Sequence, residues 1–440
     1  MFSRYVPILN CCMVVCSVVI YSALAFASNT PAAWQTDGNL KYRLVNSAFP
    51  SSSIYQSLIG DNAIDHTLGA RLNFEIDRNQ WSADISYQAA VVQGDGARLA
   101  TLSSDEFSFI DPTLSLSASA VSDDAGRLLD LSELISQSNS HGVGHRLDRL
   151  NVGYQSEKNI FRIGRQALSW GNGLIYTPMD FINPFDPTAI DREYKTGDDM
   201  VYAQHLFSNG DDLQTAWVVR RDKAGDISQK VNSLAVKYHG FFKASEFDFL
   251  IASHYGDRVI GLGGRVSVGG SIVRGDWLVS NTDHGTFDSL VANISYSWVS
   301  WEKNITGSLE YFHSGVGSHL HNGRLDELLR NPELVDRITR GELFTLGRDY
   351  LAGSAAVEMA PLWLLSTNIF YNMSDNSALA QIVSNHDVGQ NGQFVMAATL
   401  PMGPKGSEFG GLVVNTANDQ LMQNFNESSW SLYAQIAWYF

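Results

Sequence analysis

The residues best suited to chemistry are concentrated between Arg162 and Asp199. Arg162-x-Gly164-Arg165-Gln166 opens the stretch and Trp170-Gly171-Asn172-Gly173 follows. Pro178-Met179-Asp180-Phe181-Ile182-Asn183-Pro184-Phe185-Asp186-Pro187 then leads into Asp191-Arg192-Glu193-Tyr194-Lys195. Charge this dense can bond to itself and hold a segment down, or it can present fixed charge to a passing solute. Three of the eleven prolines fall between Pro178 and Pro187, and each fixes its own φ, so the segment reads as a stiff connection. Covalent chemistry is not indicated. No Ser/His/Asp spacing stands out, and neither Asp257 nor Asp283-His284 suggests an acid–base pair. His313, His319 and His321, with Asp326 near, read as loop histidines rather than metal ligands. No catalytic residue, metal or cofactor is expected.

The elements that must position this stretch are strands. Leu68, Ala70, Leu72, Phe74 and Ile76 share one face, and Gly69, Arg71, Asn73, Glu75 and Asp77 the other. Trp81 to Ala89, Leu290 to Trp298, Ile305 to Tyr311 and Leu351 to Met359 repeat the alternation. Many segments run to about ten residues, the length that crosses a bilayer at a tilt, whereas strands of soluble sandwiches average about six. Aromatics gather toward segment ends, as in the girdles at membrane interfaces.

The pattern predicts an all-β, antiparallel, up-and-down transmembrane barrel of about 18 strands, with 16 as the fallback. The strands fall near 38–48, 64–77, 80–91, 145–156, 158–168, 199–208, 212–221, 230–239, 244–254, 257–268, 271–280, 287–299, 304–313, 348–360, 363–373, 377–386, 392–401 and 429–440. Numbered this way, the long connections 49–63, 92–144, 169–198, 314–347 and 402–428 all follow odd strands. They therefore share one side, expected to be extracellular. Within 314–347, Leu325, Leu328, Leu329, Leu334 and Ile338 are spaced for a short helix divided at Pro332.

The two ends fit an exported barrel. Residues 1–27 read as a signal peptide: a basic start with Arg4, an uncharged apolar run, and Ala25-Phe26-Ala27 as the cleavage pattern. All three cysteines (Cys11, Cys12, Cys16) lie inside it, so 28–440, a single domain, has neither disulfides nor thiolate metal sites. That part carries 29 basic against 46 acidic residues, a formal charge of −17, which argues against nucleic-acid partners. At the other end Trp430, Leu432, Ala434, Ile436, Trp438 and Phe440 form one apolar face. It is similar to the terminal signal of outer-membrane barrels, with Trp438 and Phe440 read by the assembly machinery.

From Arg162 onward the chain resembles a family of poorly characterised Gram-negative outer-membrane porin-like barrels. In these a Gly-Arg-Gln strand precedes a Trp-Gly-x-Gly turn and a Pro-x-Asp…Asn-Pro-Phe loop. A looser likeness to alginate-export-type channels rests on Gly164-Arg165-Gln166. The resemblance implies a barrel in the outer membrane and a pore; it names no solute.

The resulting expectation is a channel for small hydrophilic or amphipathic solutes, not an enzyme, with 169–198 folded into the lumen as its constriction. Strand parity and loop position nominate Arg162, Gln166, Asp180, Asp186, Asp191, Arg192, Glu193, Lys195, Arg220, Arg265, Arg274, Asp276 and Glu310 as pore-lining or constricting. Arg43, Arg71, Glu75, Asp84, Arg149, Lys237, Asp248 and Glu358 should also face inward. Arg165 breaks the parity of its strand, so it lies above the membrane or a bulge re-aims it. Both signs occur, which predicts wall ion pairs rather than a lumen of one charge. Expected partners are outer-membrane lipid, the barrel assembly machinery and small solutes, and a homo-oligomer is compatible with the pattern. Two other readings stay open: an outer-membrane enzyme using extracellular-rim residues, and a plugged structural or adhesion barrel.

Overall fold

The computed structural model describes residues 34–96, 124, 126–138, 140–319, 328–415, 422–425 and 428–440. The signal-peptide reading of 1–27, all of 97–123, and His321, Leu325 and Asp326 lie outside them.

Eighteen antiparallel strands close into a barrel. In chain order they are β1 (Trp34–Ala48), β2 (Asn62–Arg78), β3 (Trp81–Gly94), β5 (His141–Gln155), β6 (Asn159–Gln166) and β7 (Asp198–Leu206). Next come β8 (Asp212–Val218), β9 (Ser233–Phe242), β10 (Ser245–His254), β11 (Asp257–Val268), β12 (Ser271–Thr282) and β13 (Gly285–Ser300). The circle ends with β14 (Lys303–Ser314), β15 (Asp349–Ala360), β16 (Trp363–Asn372), β17 (Ser377–Val388), β18 (Gly392–Met402) and β21 (Trp430–Tyr439). Each pairs with its neighbour in sequence, and β21 pairs with β1 from Asn39↔Tyr439 to Ala48↔Trp430. All eighteen match the segments read from alternation. The long connections share one rim, and the other carries tight turns, such as Gly269-Gly270.

The outward face is apolar. Leu68, Phe249, Ile251, Ile260, Leu262, Ile369, Ile382 and Ile436 are all more than a third exposed, a pattern that water disfavours and hydrocarbon matches. Tryptophan marks the tight-turn rim: Trp34, Trp81, Trp298, Trp301, Trp363 and Trp438 all point outward there. Of the ten tryptophans, only Trp170 is buried.

Alternation could not reveal three additions. The connection expected at 92–144 begins later, because β3 and β5 extend beyond the sequence-read segments. It carries an extra strand, β4 (Ser132–Ser138), paired to β5. The 402–428 connection contains a hairpin of β19 (Leu412–Asn415) and β20 (Met422–Phe425). In the 314–347 connection Pro332 opens helix α2 (Pro332–Thr339), where its missing N–H costs nothing, and Asn331 caps it. A second short helix, α1 (Ile54–Ile59), follows β1. Tyr55 of α1, Leu334 of α2, Phe49, Leu346 and Leu412 pack into one apolar cluster, so three long connections make a common cap over their rim.

Candidate functional site

The connection from β6 to β7 runs inside the barrel. Its outgoing limb starts with Leu168 and Trp170 buried in an apolar cluster with Met179, Phe181, Leu250 and Leu278. Trp170 Nε1 donates to Gln214 of β8 at 2.6 Å. Asn172 donates its backbone N–H (2.6 Å) and Nδ2 (2.7 Å) to Asp276 of β12, and Nδ2 also reaches Asp248 of β10 at 3.0 Å. Its carbonyl accepts from Asn293 of β13 at 3.1 Å. The Glu310 carboxylate of β14 then accepts three successive backbone N–H groups, from Leu174 (2.7 Å), Ile175 (3.1 Å) and Tyr176 (2.6 Å). The bend that aligns them needs Gly173, where a Cβ would lie 1.8 Å from the Tyr176 carbonyl. The Tyr176 ring stacks on Phe312, 4.6 Å between centroids.

The return limb crosses to the opposite wall. Gln381 of β17 donates to the Thr188 carbonyl at 2.8 Å. Lys41 of β1 bonds Asp191 (2.7 Å) and Glu193 (2.6 Å), and the Tyr439 hydroxyl of β21 donates to Glu193 at 3.0 Å. The Arg71 guanidinium of β2 lies over the Tyr194 ring at 4.0 Å. Arg149 of β5 donates to the Lys195 carbonyl at 2.5 Å. The segment thus bonds to both sides of the barrel interior.

Lys195 closes the segment on itself. Its ammonium bonds both oxygens of Asp180, at 2.6 and 2.5 Å, and the Leu168 carbonyl. Burial pushes the Asp180 carboxyl up to about 6 against the pull of Lys195, and burial lowers Lys195. Each direction records the cost of removing charge from water, which the pairing only partly offsets.

Several nominated residues bond within the loop or beside it rather than across the interior. Asp186 bonds the N–H and hydroxyl of Thr188, and Arg192 donates to the carbonyls of Ala189 and Pro187. Both stiffen the loop from within and do not pair with the wall. The Asp180–Lys195 pair is likewise internal. Arg220 is not on a barrel strand: β8 stops at Val218, and Arg220 lies buried in the following connection, bonded to Asp198 (2.7 Å) and Ser233 (2.7 Å). Gln166 donates to the Met200 carbonyl, and Arg162 stacks over Tyr202. Arg265, paired with Glu246 at 2.6 Å, and Arg274, donating to Ser295 at 2.9 Å, lie toward the tight-turn rim, away from the loop.

The wall beside the return limb is a lattice of arginine and aspartate. Asp148 accepts from Arg71 at 2.9 Å and Arg149 at 2.7 Å. Asp148 is the extra residue of a β-bulge, with Tyr87 facing Leu147 and Ser86 facing Arg149. The bulge brings Asp148 and Arg149, neighbours in sequence, to the same side. Arg165, which parity could not place, is 1% exposed and bonds Asp199 through Nε and Nη2 at 3.0 Å each and Asp124 at 2.5 Å. Gly164 re-aims it: its φ is +119°, and a Cβ there would sit 2.1 Å from the Leu150 carbonyl. Lys41 escaped the sequence reading because a single polar residue carries no period, and Asn172 and Tyr194 stood in its motifs without being nominated. Trp170 alone gave a signal, as an indole inside a Gly-rich turn.

One arrangement at the capped rim resembles a catalytic triad. Ser233 Oγ lies 2.7 Å from His254 Nδ1, and His254 Nε2 lies 2.9 Å from Glu342. The hydroxyl is 1% exposed and already accepts from Arg220, so no substrate carbonyl can reach it. The three residues clamp the 315–348 connection to β9 and β10.

On the tight-turn side of the loop lies an open chamber of about 620 Å³. Asp191, Arg192 and Glu193 form one boundary, with Glu358, Tyr433 and Gln435 on the wall.

Fold and interior together define a closed 18-stranded barrel with an inward-folded third long connection. No protein-family model and no curated protein matches the chain. Solved structures do. A BenF-like porin from Pseudomonas fluorescens Pf-5 aligns with TM-score 0.51 at 8% identity, over 92% of this chain and 98% of that one. OccAB4 of Acinetobacter baumannii aligns at 0.50 and 8%, covering 94% and 99%. Wzi of Escherichia coli, an outer-membrane protein involved in group 1 capsule assembly and a carbohydrate-binding β-barrel, aligns at 0.50 and 9%, covering 91% and 83%. What this chain shares with them is the fold.

Proposed function

We propose that this barrel is an outer-membrane channel for small hydrophilic solutes, with its bore set by the 167–197 connection. The observation that carries the reading is the span of that connection, bonded to Asp276 and Glu310 on one wall and to Lys41 and Gln381 on the other. Irregular backbone at membrane depth is tolerated where it lines water or is buried in protein. The porin likeness of the fold and the polar interior support the same reading. Deleting 172–194 should enlarge single-channel conductance in planar bilayers without blocking insertion. Unchanged conductance of an inserted deletion would place the loop outside the permeation path.

A second reading, a plugged barrel, is favoured by the apolar cap of Phe49, Tyr55, Leu334 and Leu412. The two separate in the same experiment: a barrel plugged by this cap stays silent before and after the deletion.

The membrane assignment has its own test. Ile436 is 56% exposed on the outer face, where an arginine at the bilayer midplane costs about 2–4 kcal/mol. Ile436→Arg should impair folding through this cost, and loss of Phe440 through recognition by the assembly machinery. Normal heat-modifiable migration of both variants would contradict the assignment.

A further inference from the structure

Between the loop and the cap lies a smaller cavity, distinct from the open chamber. Phe181, Phe185 and Pro184 of the loop, Phe312 of β14 and Phe344 give it an apolar side. Its other side is polar, with Asp257, Ser314, Arg337, Glu342 and Thr345. About 60 Å³ is open to the centres of water-sized atoms, and one water needs roughly 10–15 Å³. The cavity therefore holds a cluster of waters or one end of a small solute.

Three polar atoms on its lining are buried without a hydrogen-bond partner: Ser314 Oγ, Thr345 Oγ1 and Glu342 Oε2. Ser314 is 0% and Thr345 4% exposed. Such orphans are costly, roughly 1–3 kcal/mol each, unless something in the cavity bonds them. Arg337 adds to the set. Its Nη1 is 3.8 Å from Glu342 and its Nη2 3.9 Å from Asp257, too far for direct hydrogen bonds and suited to an inserted group. Burial alone would raise the Glu342 carboxyl, but His254, Arg337 and Arg340 hold it below its ordinary value, so it stays an acceptor.

The set thus offers fixed acceptors, a fixed cation and two hydroxyls. A ligand carboxylate would face Asp257 and Glu342, and a ligand ammonium would face Arg337. A hydroxyl both donates and accepts, so it satisfies each partner without adding charge. We propose that this cavity binds one end of an uncharged polyol, with its hydroxyls on Ser314, Thr345, Glu342 and Arg337 and its carbon face against the phenylalanines. The proposal deepens the channel reading by naming a solute class, and it rests on that reading for its purpose.

The test measures binding apart from conduction. The full chain in deuterated phosphocholine detergent is probed by saturation-transfer NMR with glycerol and sorbitol, and with acetate and ethylamine as charged comparators. Transfer to the polyols should exceed transfer to either comparator. Thr345→Val and Ser314→Ala should each weaken polyol binding up to about tenfold, the worth of one hydrogen bond. Lys223→Ala, outside the lining, should leave binding unchanged. Three outcomes overturn the proposal: no transfer to any polyol, which means the cavity holds water only; equal or stronger transfer to acetate or ethylamine; or wild-type polyol affinity in both Thr345→Val and Ser314→Ala. Any of these can occur in a barrel that still conducts, whereas failure of the channel reading shows as absent conductance before and after the 172–194 deletion.

Discussion

The two limbs of the inner loop are held by different physics. The outgoing limb is fixed by wall carboxylates that accept loop N–H groups, and by apolar packing around Trp170, Met179 and Phe181. The return limb is fixed largely by ion pairs and a cation over an aromatic ring, through Lys41, Arg71 and Arg149. Backbone N–H bonds to a buried carboxylate need the bend to be right and respond little to salt. Ion pairs with partly exposed ends tolerate imprecise backbone and weaken as salt screens them. The outgoing limb is built as a fixture, while the return limb is anchored by contacts that solution conditions can loosen.

Three measurements test this contrast, in order of expected effect. Glu310→Ala strands three backbone N–H groups at once, a cost on the order of 3–9 kcal/mol. Chemical unfolding of the barrel in lipid vesicles should show it, with a clear change in conductance. Glu310→Gln, which keeps an acceptor oxygen, should do less harm, and equal damage from both variants would mean the three bonds are not what matters.

The second concerns the tie between the limbs. The fold raises the Asp180 carboxyl from 3.8 to about 6, so the folded barrel holds a proton over a range where the unfolded chain has released it. By linkage, this group's contribution to stability falls as pH rises from 3.8 to about 6, by roughly 3 kcal/mol over the window, and is flat above it. Asp180→Asn should remove that slope. Unfolding profiles of wild type and variant that run parallel from pH 4 to 7 would show that Asp180 does not titrate there.

The smallest effect belongs to Lys41. Its partners Asp191 and Glu193 are 28% and 31% exposed, so each pair is worth about 1 kcal/mol or less. Lys41→Ala should raise open-channel current noise at low salt and match wild type in molar salt. A salt-independent difference would assign Lys41 a packing role.

The strands were legible in the sequence because a barrel wall imposes one repeating demand, apolar out and polar in, on every residue pair. Residues 292–298 and 430–436 state it without interruption. The inner loop was legible as a location, since its prolines and charges stand apart from any period. Its pairings were not. Asp186 and Arg192 look like wall partners in sequence, yet they bond within the loop, because side chains beside a tight turn reach their own backbone first. Asp148 became a hub through a bulge, and Arg165 through one glycine with positive φ, and neither device alters composition.

The seam between β1 and β21 decides closure. The eighteen barrel strands stand around the circle in chain order, and the last bonds to the first. Until it does, β1 presents an unpaired edge from Asn39 to Ala48, open to any other strand that reaches it. Without that pairing the wall is an open sheet and the polar interior described above has no enclosure, so closure rests on one contact between the two ends of the strand order.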